Sequence, residues 1–425
     1  MRSKRCSLFL LCCSLLCAFS VHGAAQTFTT LYSFSDVSYA AGSAPQGPLV
    51  NGVSGVLYGS TSEGGAYNQS GCSPNGGCGT IFSLTPPASQ GGAWTESVLW
   101  SFGGTGDGIS PFGSMAIGEE GVLYGATESG GANGQGTVFS LTPPASQGGA
   151  WTESVLWSFG GTGDGSGPVG GVIIGSSGVL YGTTPGGGAN GQGTVFSLTP
   201  PASQGGAWTE SVLWSFGEAG DGGQPYQGLV ADHSSGVLYG TNGFIFSLSP
   251  PASSGGPWTE AILYKLKPGE DGHPVPLTIG KRGVLYGATS GNDRTNGGTI
   301  FSLKPPASQG GAWTEKTLWT FPATRTHARD GESPTGPLLF VKSTGTLYGT
   351  TQGGGTGKPV GSGTVFELSP PASRARSWKI SILHSLYPMQ GVAPLGGLIM
   401  LNGALYGVTP GGGSDAGGTV FSVVP

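Results

Sequence analysis

A five-residue pattern, G-[VTA]-L-Y-G, occurs seven times in this chain, with its tyrosine at Tyr58, Tyr124, Tyr181, Tyr239, Tyr286, Tyr348 and Tyr406. The intervals are 66, 57, 58, 47, 62 and 58 residues. Self-similarity at such a period means that one small unit must bury its apolar faces against copies of itself. Within a unit, a short apolar run such as "GGVIIG" at 170–175 leads through a Ser/Gly turn into "GVLYGTT". A glycine-rich loop, "GTVFSL", the connector "PPASQGGA" and "WTESVLWSF" follow. Each run is 4–9 residues long, rich in β-branched and aromatic residues and bounded by Gly, Pro, Asn or Ser. These are strand signals, and no helical period is sustained anywhere. The unit therefore reads as four antiparallel strands, A to D. Pro-Pro cannot stand inside a central strand, which makes the C–D connection a loop.

Seven such units predict an all-β fold, a seven-bladed β-propeller. Each blade would bury both faces against its neighbours, which suits adjacent apolar residues such as Val98-Leu99. The last unit stops at strand C, "GTVFSVVP", whereas "TFTTLYSF" at 27–34 matches the missing strand "ESVLWSF". The N-terminal strand is thus expected to complete the last blade and close the ring, removing two raw sheet edges. A linear solenoid would need caps that this sequence lacks.

Residues 1–25 read as a secretory signal peptide: Arg2, Lys4 and Arg5 precede an apolar run from Leu8 to Phe19, with cleavage after Gly23 or Ala25. Residues 26–425 then form one domain. Leu16 stands before Cys17 where lipidation would need a small residue. No later stretch reaches the ~20 apolar residues of a spanning helix. The expected product is secreted or held in the cell envelope, and monomeric. Cys72 and Cys78 remain after cleavage, close together in "GCSPNGGC", and are expected to form a local disulfide. Loss of the leader takes the basic residues from 17 to 14 against 22 acids, a net charge of −8 that argues against nucleic acid.

The recurring "GVLYGTT…GG…GTVFSL" resembles the GloVer tandem repeat of exported bacterial proteins and, more loosely, kelch-type blades. The resemblance covers essentially residues 27–425. It implies a surface or secreted propeller and brings no established catalytic residues. Such proteins often carry a C-terminal anchoring module; the chain ends on its last strand, so release is expected.

Gly186 to Gly191 fits the dinucleotide fingerprint G-x-G-x-x-G, but that motif needs a helix after the glycines to hold the pyrophosphate. Here the strand "TVFSL" follows, and the loop has no Asp for a calcium repeat. No cofactor is expected. Asp107, Asp164, Asp221, Asp271 and Asp330, each followed by Gly, read as turn residues in the D–A connections. The glutamate of "WTE" (Glu96, Glu153, Glu210, Glu260, Glu315) is expected to guard the outer edge strand, and the preceding Trp to pack at the rim.

In a four-stranded meander the D–A and B–C loops share one face. That face varies between units and gathers charge around blades five and six: Asp271, His273, Asp293, Arg294, Arg325, His327, Arg329 and Asp330. These residues are the candidate ligand-binding set, suited to an anionic or polyhydroxyl ligand through bidentate arginines. The near-absence of a B–C loop in blade four, "TNG", predicts a rim that is low beside them. The sequence reading is a non-catalytic propeller that binds a glycan or protein. A polysaccharide lyase or glycosidase using the same cluster, and a structural surface-assembly protein, are the alternatives.

Overall fold

The computed structural model describes the chain except residues 1–25, 36–38, 69–71, 73–75, 90, 147, 204, 254, 267–272, 292–295, 309, 324–328, 357–360 and 373–376. Seven antiparallel sheets are arranged as a seven-bladed β-propeller, each in the spatial order A-B-C-D. Blade 2 is representative: A is Gly108–Ile117, B Leu123–Gly130, C Thr137–Thr142 and D Thr152–Ser158. Blade 7 takes A, B and C from Ile399–Leu401, Ala404–Thr409 and Ala416–Val424. Its strand D is Thr27–Ser35, paired antiparallel to C with Thr27 opposite Val424. The ring is closed by this pairing, as the repeat predicts.

The repeat residues have local reasons. The A–B hairpin "SSGV" turns on Ser177 and Gly178, both at positive φ (58° and 74°), as a type I′ turn requires. The glycine of L-Y-G is fixed by contact: a Cβ at Gly182 would lie 2.5 Å from Cζ of Phe196 on strand C. Strand C then packs its Phe beneath strand B without overcrowding. In six blades a threonine pair, such as Thr184 and Thr194 with hydroxyls 2.8 Å apart, ties the start of the B–C loop.

Seven apolar clusters fill the ring, one in each seam between blades. Phe102 of blade 1 meets Phe139 of blade 2 edge to face at 4.9 Å, and Phe159 repeats the contact on Phe196. In six seams the Trp that begins strand D stands edge-on to the L-Y-G tyrosine of the preceding blade, as Trp151 does to Tyr58 at 5.8 Å. Such pairs add about 0.5–1.5 kcal/mol each beyond the area they bury. The "WTE" glutamates differ from expectation. Rather than facing solvent along the outer edge, Glu96, Glu153, Glu210 and Glu260 turn into the seams, each with a buried, unpaired Oε1. The reason is the strand's alternation: Thr and Ser on either side of the Glu take the exposed face.

Candidate functional site: the axial channel

A proline stands within or shortly before strand A of every blade: Pro45, Pro111, Pro168, Pro225, Pro274, Pro334 and Pro394. The next residue in each blade, in order Gln46, Phe112, Val169, Tyr226, Val275, Thr335 and Leu395, lines a single cavity of about 470 Å³ on the propeller axis. The residue before the proline explains the aim. Ala44, Ser110, Gly167, Gln224, Ser333 and Ala393 all have φ between 53° and 67°. Left-handed backbone is rare for L residues, and a following proline disfavours helical backbone further. A backward hydrogen bond holds it. The N–H of Ser110 donates to the Cys78 carbonyl (2.8 Å), Gly167 to Gln135 (2.8 Å) and Gln224 to Gln192 (2.7 Å), each in the preceding blade. Inside this ring the A strands touch almost backbone to backbone: a Cβ on Gly113 would lie 2.4 Å from the amide nitrogen of Gly171. Gln46 donates to Ser62 (3.3 Å), and Thr335 donates to the Pro394 carbonyl of the next blade (2.6 Å).

Blade 5 departs from the pattern because blade 4 has only Asn242 and Gly243 between strands B and C. That turn is closed on itself, with Phe244 N–H donating to Asn242 Oδ1 (3.2 Å). Among the described residues no main-chain hydrogen bond from the next blade reaches it. His273, the pre-proline residue, bonds within its own blade instead: its N–H donates to Ser290 Oγ (3.1 Å), and its carbonyl accepts from Ser290 N–H (2.9 Å). His273 and Ser290 thereby join the channel wall.

A second depression, of about 710 Å³, runs over blades 2 to 4 and shares Glu128, Val169 and Tyr226 with the channel. Gln135, Ser166 and Gln224 add uncharged donors and acceptors along it. Tyr226 stands at the junction, 56% exposed. Gly186 and Gly191 lie under this groove. Gly186–Gly187 forms a two-residue ladder with Gly165–Ser166 and strand C follows, so the fingerprint has no helix to complete it. Among the described residues, Glu128 is the only carboxylate on either surface.

The eight residues singled out by charge are not drawn into one site by the described structure. Asp271, Asp293, Arg294, Arg325 and His327 lie outside the described residues. His273 lines the channel, whereas Arg329 and Asp330 line a separate depression of about 440 Å³ beside His384 and Tyr387. Asp107 and Asp164 are turn residues in a fuller sense than expected: each accepts from a strand-D indole, Trp100 at 3.2 Å and Trp157 at 3.1 Å. Burial raises the Asp107 pKa above the usual carboxylate range, against the pull of these bonds. Cys72 and Cys78 are joined as a disulfide, Cα atoms 4.7 Å apart, at the end of the groove. No group of three His, Cys, Asp or Glu residues among those described could hold a metal ion. The channel ring escaped charge-based reasoning, yet it has a sequence signal: a proline recurs in every unit, and the residue after it changes chemical type.

The Gloeobacter/Verrucomicrobia repeat matches residues 69–244 and again residues 241–425. Among solved structures, a polysaccharide lyase, Uly1, is 12% identical, with 90% of each chain covered and a TM-score of 0.49. A putative oxidoreductase (glucose dehydrogenase) from Thermus thermophilus is 14% identical over 94% of this chain and 99% of its own, with a TM-score of 0.44. A putative gluconolactonase is 13% identical over 85% and 95%, with a TM-score of 0.41. None of the curated proteins matches.

Proposed function

The chain belongs to the Gloeobacter/Verrucomicrobia repeat family, and from its axial channel we propose that it is an exported binding propeller for a neutral glycan. The observation that carries the reading is the post-proline ring. A scaffold repeated almost letter for letter changes its residue type where it meets the axis, as a recognition surface on a fixed frame does. The wall is of mixed character: Phe112, Val169, Val275 and Leu395 are apolar, and Gln46, Tyr226 and Thr335 carry hydrogen-bonding groups. That combination suits rings with apolar faces and hydroxyl edges better than a strongly charged ligand. The disulfide and the basic-apolar leader agree with export.

The test is titration calorimetry of the mature protein against a panel of neutral oligosaccharides. Tyr226→Ala is expected to weaken binding by about tenfold or more while leaving the melting temperature unchanged. Binding that survives both this change and Phe112→Ala would sink the channel as the site.

A second reading has one supporting observation. Glu128, Tyr226 and His273 bring a carboxylate, a phenol and an imidazole to the wall of one cavity, the groups that general acid–base chemistry on a polysaccharide uses. Release of new reducing ends or unsaturated products from the same panel, lost in His273→Ala, would favour the enzyme over the binding protein.

A further inference from the structure

The opposite face of the propeller carries the A–B hairpin tips, and their charges are sorted by position. Blade 2 presents Glu119 and Glu120, both exposed. Blade 5 presents Lys281 and Arg282, and blade 6 presents Lys342, all exposed. In a ring of seven, blade 2 lies directly across the axis from the gap between blades 5 and 6. Among the described residues none of these five side chains is held in an ion pair. The other acidic tip, Asp232 on blade 4, is already engaged by the hydroxyls of Ser234 (2.7 Å) and Ser235 (2.8 Å). In a chain with only 9% charged residues, such a two-pole arrangement on one face is conspicuous.

We propose that this face docks a second copy of the chain, face to face, as a twofold dimer. A dyad lying in the plane of the face and passing between blades 7 and 1, closer to blade 7, carries blade 2 of one copy onto the blade 5–6 gap of the other. The same operation carries the mate's blade 2 back onto the first copy's cations. Every charge contact is made twice, as an isologous interface demands. The same dyad carries blade 1, with Val53 80% exposed, over the gap between the mate's blades 6 and 7, beside Met400 of blade 7, itself 37% exposed. These are two of the large apolar side chains that the chain leaves in water, and the dyad gives them cover. Charge complementarity selects this partner, since an anionic polymer or lipid surface would use the cations and leave Glu119 and Glu120 facing like charge.

Sedimentation velocity of the mature protein tests the proposal. The expected result is a concentration-dependent dimer at low ionic strength that dissociates as salt is added. Glu119→Lys with Glu120→Lys is expected to give a monomer, as is Lys281→Glu with Arg282→Glu and Lys342→Glu. Mixing the two variants is expected to restore a dimer, because each then meets opposite charge at both poles; this outcome also guards against misfolding of either one. A monomer at every concentration at low salt, or two variants that fail to pair although both melt like the parent, overturns the proposal. Co-sedimentation of monomer with vesicles of phosphatidylserine and phosphatidylcholine, abolished by the basic-to-acidic variant alone, would overturn it in favour of an anionic surface.

Discussion

Phe28 lies flat on His384, ring centroids 4.1 Å apart and planes 15° from parallel, across the seam where the chain closes its ring. Phe28 occupies the strand-D position that Glu96, Glu153 and Glu210 occupy elsewhere, and His384 that of Trp100 and Trp157. The closing seam thus replaces a half-buried carboxylate and an indole by two stacked rings. Phe28 also packs on Phe421 of the neighbouring strand at 5.5 Å, and the imidazole Nε2 sits 2.8 Å from Gln390 Oε1.

Truncating this clasp weakens the one strand that holds the ring shut. Phe28→Ala is expected to cost ~2 kcal/mol, below the range for a fully buried Phe because the ring is only partly covered. Burial lowers the His384 pKa, with the Gln390 bond acting against that shift. Stability from the neutral ring is therefore present above the ordinary imidazole pKa and lost as pH falls through the lowered folded value. Denaturant titrations of the parent and His384→Phe should diverge on the acid side, with the parent losing more.

The seam glutamates predict the opposite slope. Burial raises Glu96, Glu153, Glu210 and Glu260 to about 7 from an ordinary value of 4.5. The folded state holds these protons more tightly than the unfolded chain. Their stabilising effect is complete below pH 4.5 and is lost as pH rises towards about 7. Thermal midpoints should decline over that interval, and the fourfold Glu→Gln variant should flatten the decline and melt higher at pH 7.5.

The indole–carboxylate bond of the D–A turn is a structural tie. The Asp164 carboxylate accepts hydrogen bonds from the Trp157 indole N–H at 3.1 Å and the Gly165 amide N–H at 2.6 Å. Asp164→Ala should cost about 1–2 kcal/mol and leave ligand binding unaltered. A larger loss of binding than of stability would instead make this turn part of the recognition surface.

Two glycines separate crowding from backbone strain. Gly106 and Gly113 have nearly the same φ, 79° and 75°. A Cβ on Gly106 would meet nothing within 4 Å, whereas one on Gly113 would strike the backbone of blade 3. Gly106→Ala should cost only the ~1 kcal/mol of left-handed backbone. Gly113→Ala should cost at least twice that, about 2 kcal/mol or more, measurable by urea denaturation of both.

The blades, their strand order and the closure by Thr27–Ser35 could all be read from the sequence, because seven copies of one apolar pattern leave few other ways to bury both faces. The Asp-Gly turns were legible for the same reason, although their indole partners were not: Trp100 and Asp107 approach only after the strand bulges between Val98 and Trp100. The seam glutamates were misread because being on an outer strand was equated with being exposed, when side-chain alternation turns them inward. The channel was hidden for a different reason. Its residues are mostly uncharged, and their shared feature is a position after proline, which matters only once a left-handed residue ahead of it aims the chain at the axis. Charge drew attention to blades five and six instead, where of the described candidates His273 alone reaches the channel.

Most of the post-proline ring is held by backbone: a fixed proline φ, a left-handed neighbour and a hydrogen bond from main chain to main chain. The side chain that follows contributes to none of these supports. Val275, buried in the blade 5–6 seam, and the hydrogen-bonded Gln46 and Thr335 are tied to the scaffold. An exposed position such as Tyr226 is free to change at little cost to folding, and each of the seven comes from a different blade. A lineage could rewrite the preference of such a channel one substitution at a time, much as a combination lock is reset wheel by wheel, while the housing stays as it was.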